Sequence, residues 1–110
     1  MAADERTALT AALDRLWIQY LPLMQESVEI LEAAARDLAA GPIPDDRQQE
    51  AQAAAHKLAG VLGTFGLTRG TELARELEII YSRQNNPEAS LAERLSSITG
   101  EIHTIVDSRK

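Results

Sequence analysis

The side chains able to do nucleophilic or metal chemistry are few: two histidines, no cysteine, and acids scattered along the chain. Of these, His56 has the most distinctive setting. It lies in Ala53-Ala54-Ala55-His56-Lys57-Leu58-Ala59-Gly60-Val61-Leu62-Gly63-Thr64-Phe65-Gly66, whose apolar positions follow a helical period. At about 100° per residue, Ala51, Ala55, Leu58, Leu62 and Phe65 share one face, which must be core. His56 falls about 160° from Leu58, toward solvent. Gln52, Ala53, Ala59, Gly60 and Gly63 are expected around it on the exposed face, so its C-terminal neighbours are tiny.

Such a floor is costly for a helix. Each interior glycine forfeits about 1 kcal/mol relative to alanine, so Gly60 and Gly63 together give up about 2 kcal/mol. Two reasons can justify the loss: open approach for another surface above His56, or tight packing between helices. Imidazole suits a group carrier, because one nitrogen is nucleophilic while the other is free to be oriented by a hydrogen bond. A lone exposed histidine is most often only solvated. Its coincidence with the glycine pair on one face reads as a surface built for contact.

The elements that must position His56 are all helical. The first runs from about Asp4 to Ala40, with Leu9, Leu13, Leu16, Tyr20, Leu23, Ile30 or Leu31, Ala34 and Leu38 at spacings of three and four. Pro22 interrupts it, predicting a kink or two consecutive helices. Gly41-Pro42-Ile43-Pro44 stops it. The second starts near Asp45, whose charge suits the positive end of the helix dipole, and runs to about Phe65 with Gly66 past its end. Thr68 is placed to cap a third helix carrying Leu73, Leu77, Ile80 and Tyr81 to about Gln84. Asn85-Asn86-Pro87 makes a turn, and Ser90 with Glu93 reads as a capping box for a fourth. That last helix buries Leu91, Leu95, Ile98, Ile102 and Ile105 or Val106, ending near Asp107. Short connections between long amphipathic helices predict an all-α, antiparallel, up-down four-helix bundle.

Composition narrows the function classes. The 110 residues fit one domain, 1–110, and 45% hydrophobic content supports a core. A net charge of −6, with Lys and Arg scattered, argues against nucleic acid or an anionic membrane surface and for a protein partner. No apolar run reaches the roughly 20 residues of a membrane span, and the N-terminus lacks a secretory pattern. Absence of cysteine excludes thiolate chemistry and fits a reducing, cytoplasmic setting. His103 lacks a second histidine or a carboxylate at ligand spacing and reads as a solvated helix-face residue. Trp17 and Tyr20 read as packing. Gly63-Thr64-Phe65-Gly66 lacks the lysine and spacing of a phosphate loop and reads as a helix end.

Ala55-His56-Lys57-Leu58-Ala59-Gly60, then Leu62-Gly63-Thr64-Phe65-Gly66-Leu67, then Leu73-Ala74-Arg75-Glu76-Leu77-Glu78 resemble the histidine-containing phosphotransfer (HPt) domain of bacterial two-component phosphorelays. The family pattern is a histidine, leucine two later, commonly lysine three later, glycine four later, and a Leu-Glu pair on the next helix. The specific motif covers about residues 51–78. The resemblance implies a phosphocarrier, not an enzyme: His56 accepts and donates the phosphoryl group, and Glu78 orients the imidazole. Lys57, Ala59, Gly60 and Gly63 would form the partner-facing surface. One position departs from the pattern, since the commonly basic residue three after the histidine is Ala59. In the family that residue is thought to balance phosphoryl charge; Lys57, about 100° round the helix, is the substitute at hand.

The implied partners are response-regulator receiver domains, or a hybrid histidine kinase. A phospho-aspartate receiver would supply the phosphoryl group and Mg²⁺, another receiver would take the group on, and the carrier would hold no cofactor or metal of its own. Modules of this family are commonly monomeric. The alternative is a helical interaction module that binds a receiver or kinase without being phosphorylated, which Ala59 favours. A kinase dimerisation domain fits less well: it usually has an acid directly after the histidine, where Lys57 stands.

Overall fold

A 39-residue amphipathic stretch sets the dimensions of the molecule. The computed structural model describes residues 2–82 and 87–109. Helix α1, Ala2–Ala40, spans 39 residues, about 58 Å at 1.5 Å per residue, and matches the longest molecular axis of 57 Å. Helix α2 is Asp45–Thr64, α3 is Thr68–Ile80, and α4, Ala92–Ser108, follows a 3₁₀ turn at Ala89–Leu91. There is no strand among the described residues. In the bundle, α1 packs on α2 and α4, and α3 closes the square against the same two helices. Ion pairs Arg94–Glu76 and Arg69–Glu101 tie α3 to α4 in antiparallel register.

Helix α1 corrects part of the sequence reading. Leu9, Leu16 and Tyr20 are exposed, at 62%, 38% and 40%. The second half of the predicted face is buried as expected, at Leu31, Ala34 and Leu38, but before it the buried stripe runs through Trp17, Met24 and Val28. Up to Val28 the two stripes share a spacing and lie one residue apart, about 100° round the helix. Only the second faces α2 and α4, and the start of α1 runs past the ends of its shorter neighbours. Of the two outcomes expected at Pro22, the split into consecutive helices does not occur, since α1 is continuous through the proline. The proline is exposed, so the carbonyl of Ile18, deprived of its donor, sits on a hydrated surface.

The turn after α2 forms as its glycine requires. Gly66 takes φ +70°, its N–H donates to the Gly63 carbonyl at 3.1 Å, and the Leu67 N–H donates to Leu62 at 3.0 Å. This pair of bonds is a Schellman closure, and it reverses the chain into α3 within three residues. The expected caps do not form. Leu67, not Thr68, is the N-cap of α3, and the Thr71 N–H donates to its carbonyl at 2.9 Å. Ser90 lies in the 3₁₀ turn, so Ser90 and Glu93 make no capping box, and Leu91 caps α4 without a side-chain bond. Before α4 the 3₁₀ turn closes with backbone bonds, Leu91 N–H to Glu88 and Ala92 N–H to Ala89. Helix α3 ends at Ile80, and Tyr81 is its buried C-cap. Gln84 and the predicted Asn85-Asn86 turn lie outside the described residues. Gln48, buried on α2, donates its amide to the carbonyls of Tyr81 at 3.2 Å and Ser82 at 2.8 Å. That clamp fixes the end of α3 against the start of α2.

Candidate functional site

His56 sits in the middle of α2, with Ala55 and Leu58 beside it anchored in the core at 0% and 1% exposure. Its own side chain is 75% exposed. The ring is nevertheless held: Nδ1 lies 2.7 Å from Oε2 of Glu78 on α3. An ionised carboxylate only accepts, so Nδ1 carries the hydrogen and Nε2 keeps its lone pair. The open nitrogen is therefore the one away from Glu78. Glu78 is itself only 29% exposed, braced by a helix whose Leu77 is fully buried. The two sequence-predicted residues, 22 positions apart, are thus brought together.

Of the two reasons for the glycine pair, tight packing between helices is excluded. A Cβ added to Gly60 would meet nothing within 4 Å, and one at Gly63 would make ordinary contact with Thr71 at 3.7 Å. Neither glycine is needed for helix packing. Both are exposed, and they leave the surface beyond His56 flat. Ala59 is a correction. It is buried, at 6%, and so does not belong to the exposed surface on which the sequence placed it. Position 59 lies on the flank of α2 that α3 covers, and an alanine there disappears beneath the neighbouring helix.

Beside His56, toward α1, runs an open groove of about 350 Å³ lined by Tyr20, Leu23, His56, Lys57, Gly60, Val61, Thr64 and Phe65. Lys57 is exposed. Tyr20 and Leu23 were assigned to the core face, so their part in this wall was missed; the signal was the second stripe on α1, one residue out of step with the buried one. Phe65 meets Trp17 edge-on, ring centroids 5.1 Å apart. The Arg109 guanidinium covers both rings, at 4.8 Å from Trp17 and 5.3 Å from Phe65, and pairs with Asp14 at 3.3 Å. Phe65, in the groove lining, is thus packed against Trp17 and Arg109.

His103 is exposed as expected, but it has acids in reach. Its Nε2 lies 3.2 Å from Asp107, four residues on, and Nδ1 is 3.6 Å from Glu32. The sequence reading passed over that i,i+4 carboxylate. Among the described residues no group of three or more His, Cys, Asp or Glu side chains is arranged to hold a metal ion, and no helix is long and apolar enough to cross a membrane.

The bundle thus holds a solvent-facing imidazole by one nitrogen, beside two exposed glycines. The family model described as the Hpt domain matches residues 4–108, and the chain belongs to that family, whose members carry out histidine phosphotransfer in two-component phosphorelays. It is also similar to the protein RcaC of Microchaete diplosiphon, with 38% identity over 76 residues. That match covers 69% of this chain and 12% of the relative, so the chain spans a small part of the length of the protein it resembles. No solved structure matches the chain.

Proposed function

We propose that His56 is the phosphoryl carrier, accepting the group from the phospho-aspartate of a receiver domain and passing it to another receiver. The observation that supports this most directly is the 2.7 Å contact between Nδ1 and Glu78 on an imidazole whose side chain is 75% exposed. Glu78 fixes the ring plane and tautomer, so Nε2 presents its lone pair outward.

Transfer follows from that geometry. The Nε2 lone pair attacks phosphorus in line with the aspartyl oxygen. The N–P bond forms, the P–O bond breaks, and its electron pair leaves on the receiver's carboxylate. The ring becomes cationic as it gains the phosphoryl group, and the Glu78 carboxylate facing Nδ1–H stabilises that charge. Return of the group to a second aspartate reverses these steps. The receiver supplies Mg²⁺, and this chain contributes position more than chemistry. The groove between α1 and α2 takes the receiver's docking surface, with Lys57, Gly60 and Gly63 beneath it. In this reading the module is a cytoplasmic monomer.

The test is incubation with a receiver charged by acetyl phosphate in the presence of Mg²⁺, followed by detection of an acid-labile phosphoryl group. Wild type is expected to label and His56→Gln to remain unlabelled but folded, since the side chain is exposed. Full labelling of the glutamine variant defeats the assignment. A receiver that binds without transfer would instead favour the unphosphorylated interaction module, the reading that Ala59 supports.

A further inference from the structure

The alanine at position 59 leaves the phosphoryl group without the cation that the family pattern commonly sets three residues after the histidine. The register of α2 against α3 shows which basic side chain is level with that position. His56 faces Glu78, and Gly63 faces Thr71. Seven positions forward on α2 thus correspond to seven positions back on α3. By the same antiparallel register Ala59, three on from His56, is level with Arg75, three back from Glu78. On the α3 wheel Arg75 lies about 60° from Glu78, turned away from the core. It is exposed, and it forms no ion pair among the described residues. Arg47, Arg69, Arg94 and Arg109 are each committed to a carboxylate, while Arg15 and Arg36 lie on α1, which does not pack on α3.

We propose that Arg75 supplies the cation that position 59 lacks, its guanidinium pairing with the phosphoryl oxygens on Nε2 of His56; this rests on His56 being the carrier. The burial of Ala59 belongs to the same arrangement, because a small residue there lets α3 sit close enough for its own arginine to serve. One turn of helix separates the levels of Arg75 and His56, about 5 Å along the axis, a span that the long arginine side chain covers. A guanidinium offers paired donors matched to phosphoryl oxygens. Lys57 lies on the other flank of His56, in the groove, where a docked receiver would engage it. Arg75 stands outside the groove lining and stays available when the partner leaves.

The experiment uses the whole chain and phosphoramidate, a small donor that needs no receiver: Nε2 attacks phosphorus, the N–P bond of the donor breaks, and ammonia departs. Phosphorus NMR then follows the half-life of the phosphohistidine and the second ionisation of its phosphoryl group. In Arg75→Ala the half-life is expected to shorten about fivefold and the ionisation to move to higher pH, since a nearby cation favours the dianion. Arg75→Lys should recover much of both, and thermal melting should be unaffected because the side chain is exposed. Equal half-life and equal titration in wild type and Arg75→Ala overturn the role of Arg75 and leave the carrier reading standing. Failure of the wild type to label at His56 overturns the carrier reading, and this inference with it.

Discussion

Oε2 of Glu78 lies 2.7 Å from Nδ1 of His56, and the two residues belong to different helices. The bond therefore depends on the register of α3 against α2, which the Schellman turn at Gly66 and the Gln48 clamp fix at opposite ends. Removing the acceptor frees the ring without disturbing the core. Glu78→Ala should slow labelling of His56 by about tenfold or more, as expected for loss of an orienting, charge-stabilising partner. Glu78→Gln should retain much of the rate, because an amide oxygen still accepts from Nδ1–H. Quenched time courses with a charged receiver check both, and identical rates in all three proteins would remove Glu78 from the mechanism.

The groove separates docking from chemistry. Tyr20 and Val61 line it but carry no group that reacts. Val61→Asp should weaken receiver binding by about 1–3 kcal/mol, the effect of a charge in an apolar contact. Labelling by phosphoramidate, which needs no docking, should be unchanged. Titration with the receiver followed by Trp17 fluorescence reads the affinity, since Trp17 is the chain's single tryptophan and meets Phe65 on the groove wall. Unaltered affinity in Val61→Asp would place the docking surface elsewhere.

Gly60 sets stability against access. A Cβ there meets nothing, and glycine costs a helix interior about 1 kcal/mol relative to alanine. Gly60→Ala should therefore raise stability by about that amount, measured by denaturant unfolding. Gly60→Leu should keep most of the gain yet slow transfer from a receiver severalfold, because its side chain rises beside His56. Undiminished transfer in Gly60→Leu would mean that the partner does not approach over this glycine.

How far the sequence carries depends on whether a feature is local. Gly66 could be placed because a left-handed turn strongly favours glycine, and His56 because a helix wheel with Leu58 and Leu62 in the core sends it to solvent. Ala59 could not. Its burial is decided by how closely α3 approaches that flank, which no single-helix period contains. The same limit misassigned Tyr20 and Leu23: α1 has two apolar stripes at one spacing, and only the packing of α2 and α4 selects between them. The caps failed for other reasons: α3 starts one residue early, with Leu67 as its N-cap, and Ser90 is taken up in a 3₁₀ turn closed by backbone bonds. The pairing of His56 with Glu78 came from the family resemblance, and the level of Arg75 opposite Ala59 only from the structure.

Tyr81 offers a test of the scaffold apart from the site. It is 1% exposed at the end of α3, and its hydroxyl has no hydrogen-bond partner among the described residues. Burial pushes its ionisation up to about 12. Leaving a buried hydroxyl unpaired costs about 1–3 kcal/mol, so Tyr81→Phe should stabilise the bundle, by about 1 kcal/mol once the close fit of the ring is allowed for. The pH dependence has a definite sign. The folded state holds the phenol proton more tightly than the unfolded chain, which releases it near pH 10. The contribution is intact below that value and is lost as pH rises toward 12. Melting temperatures of wild type should thus fall over this window more steeply than those of Tyr81→Phe, which has no proton to release. Parallel curves for the two proteins would show that the phenol is hydrated or paired in the folded state.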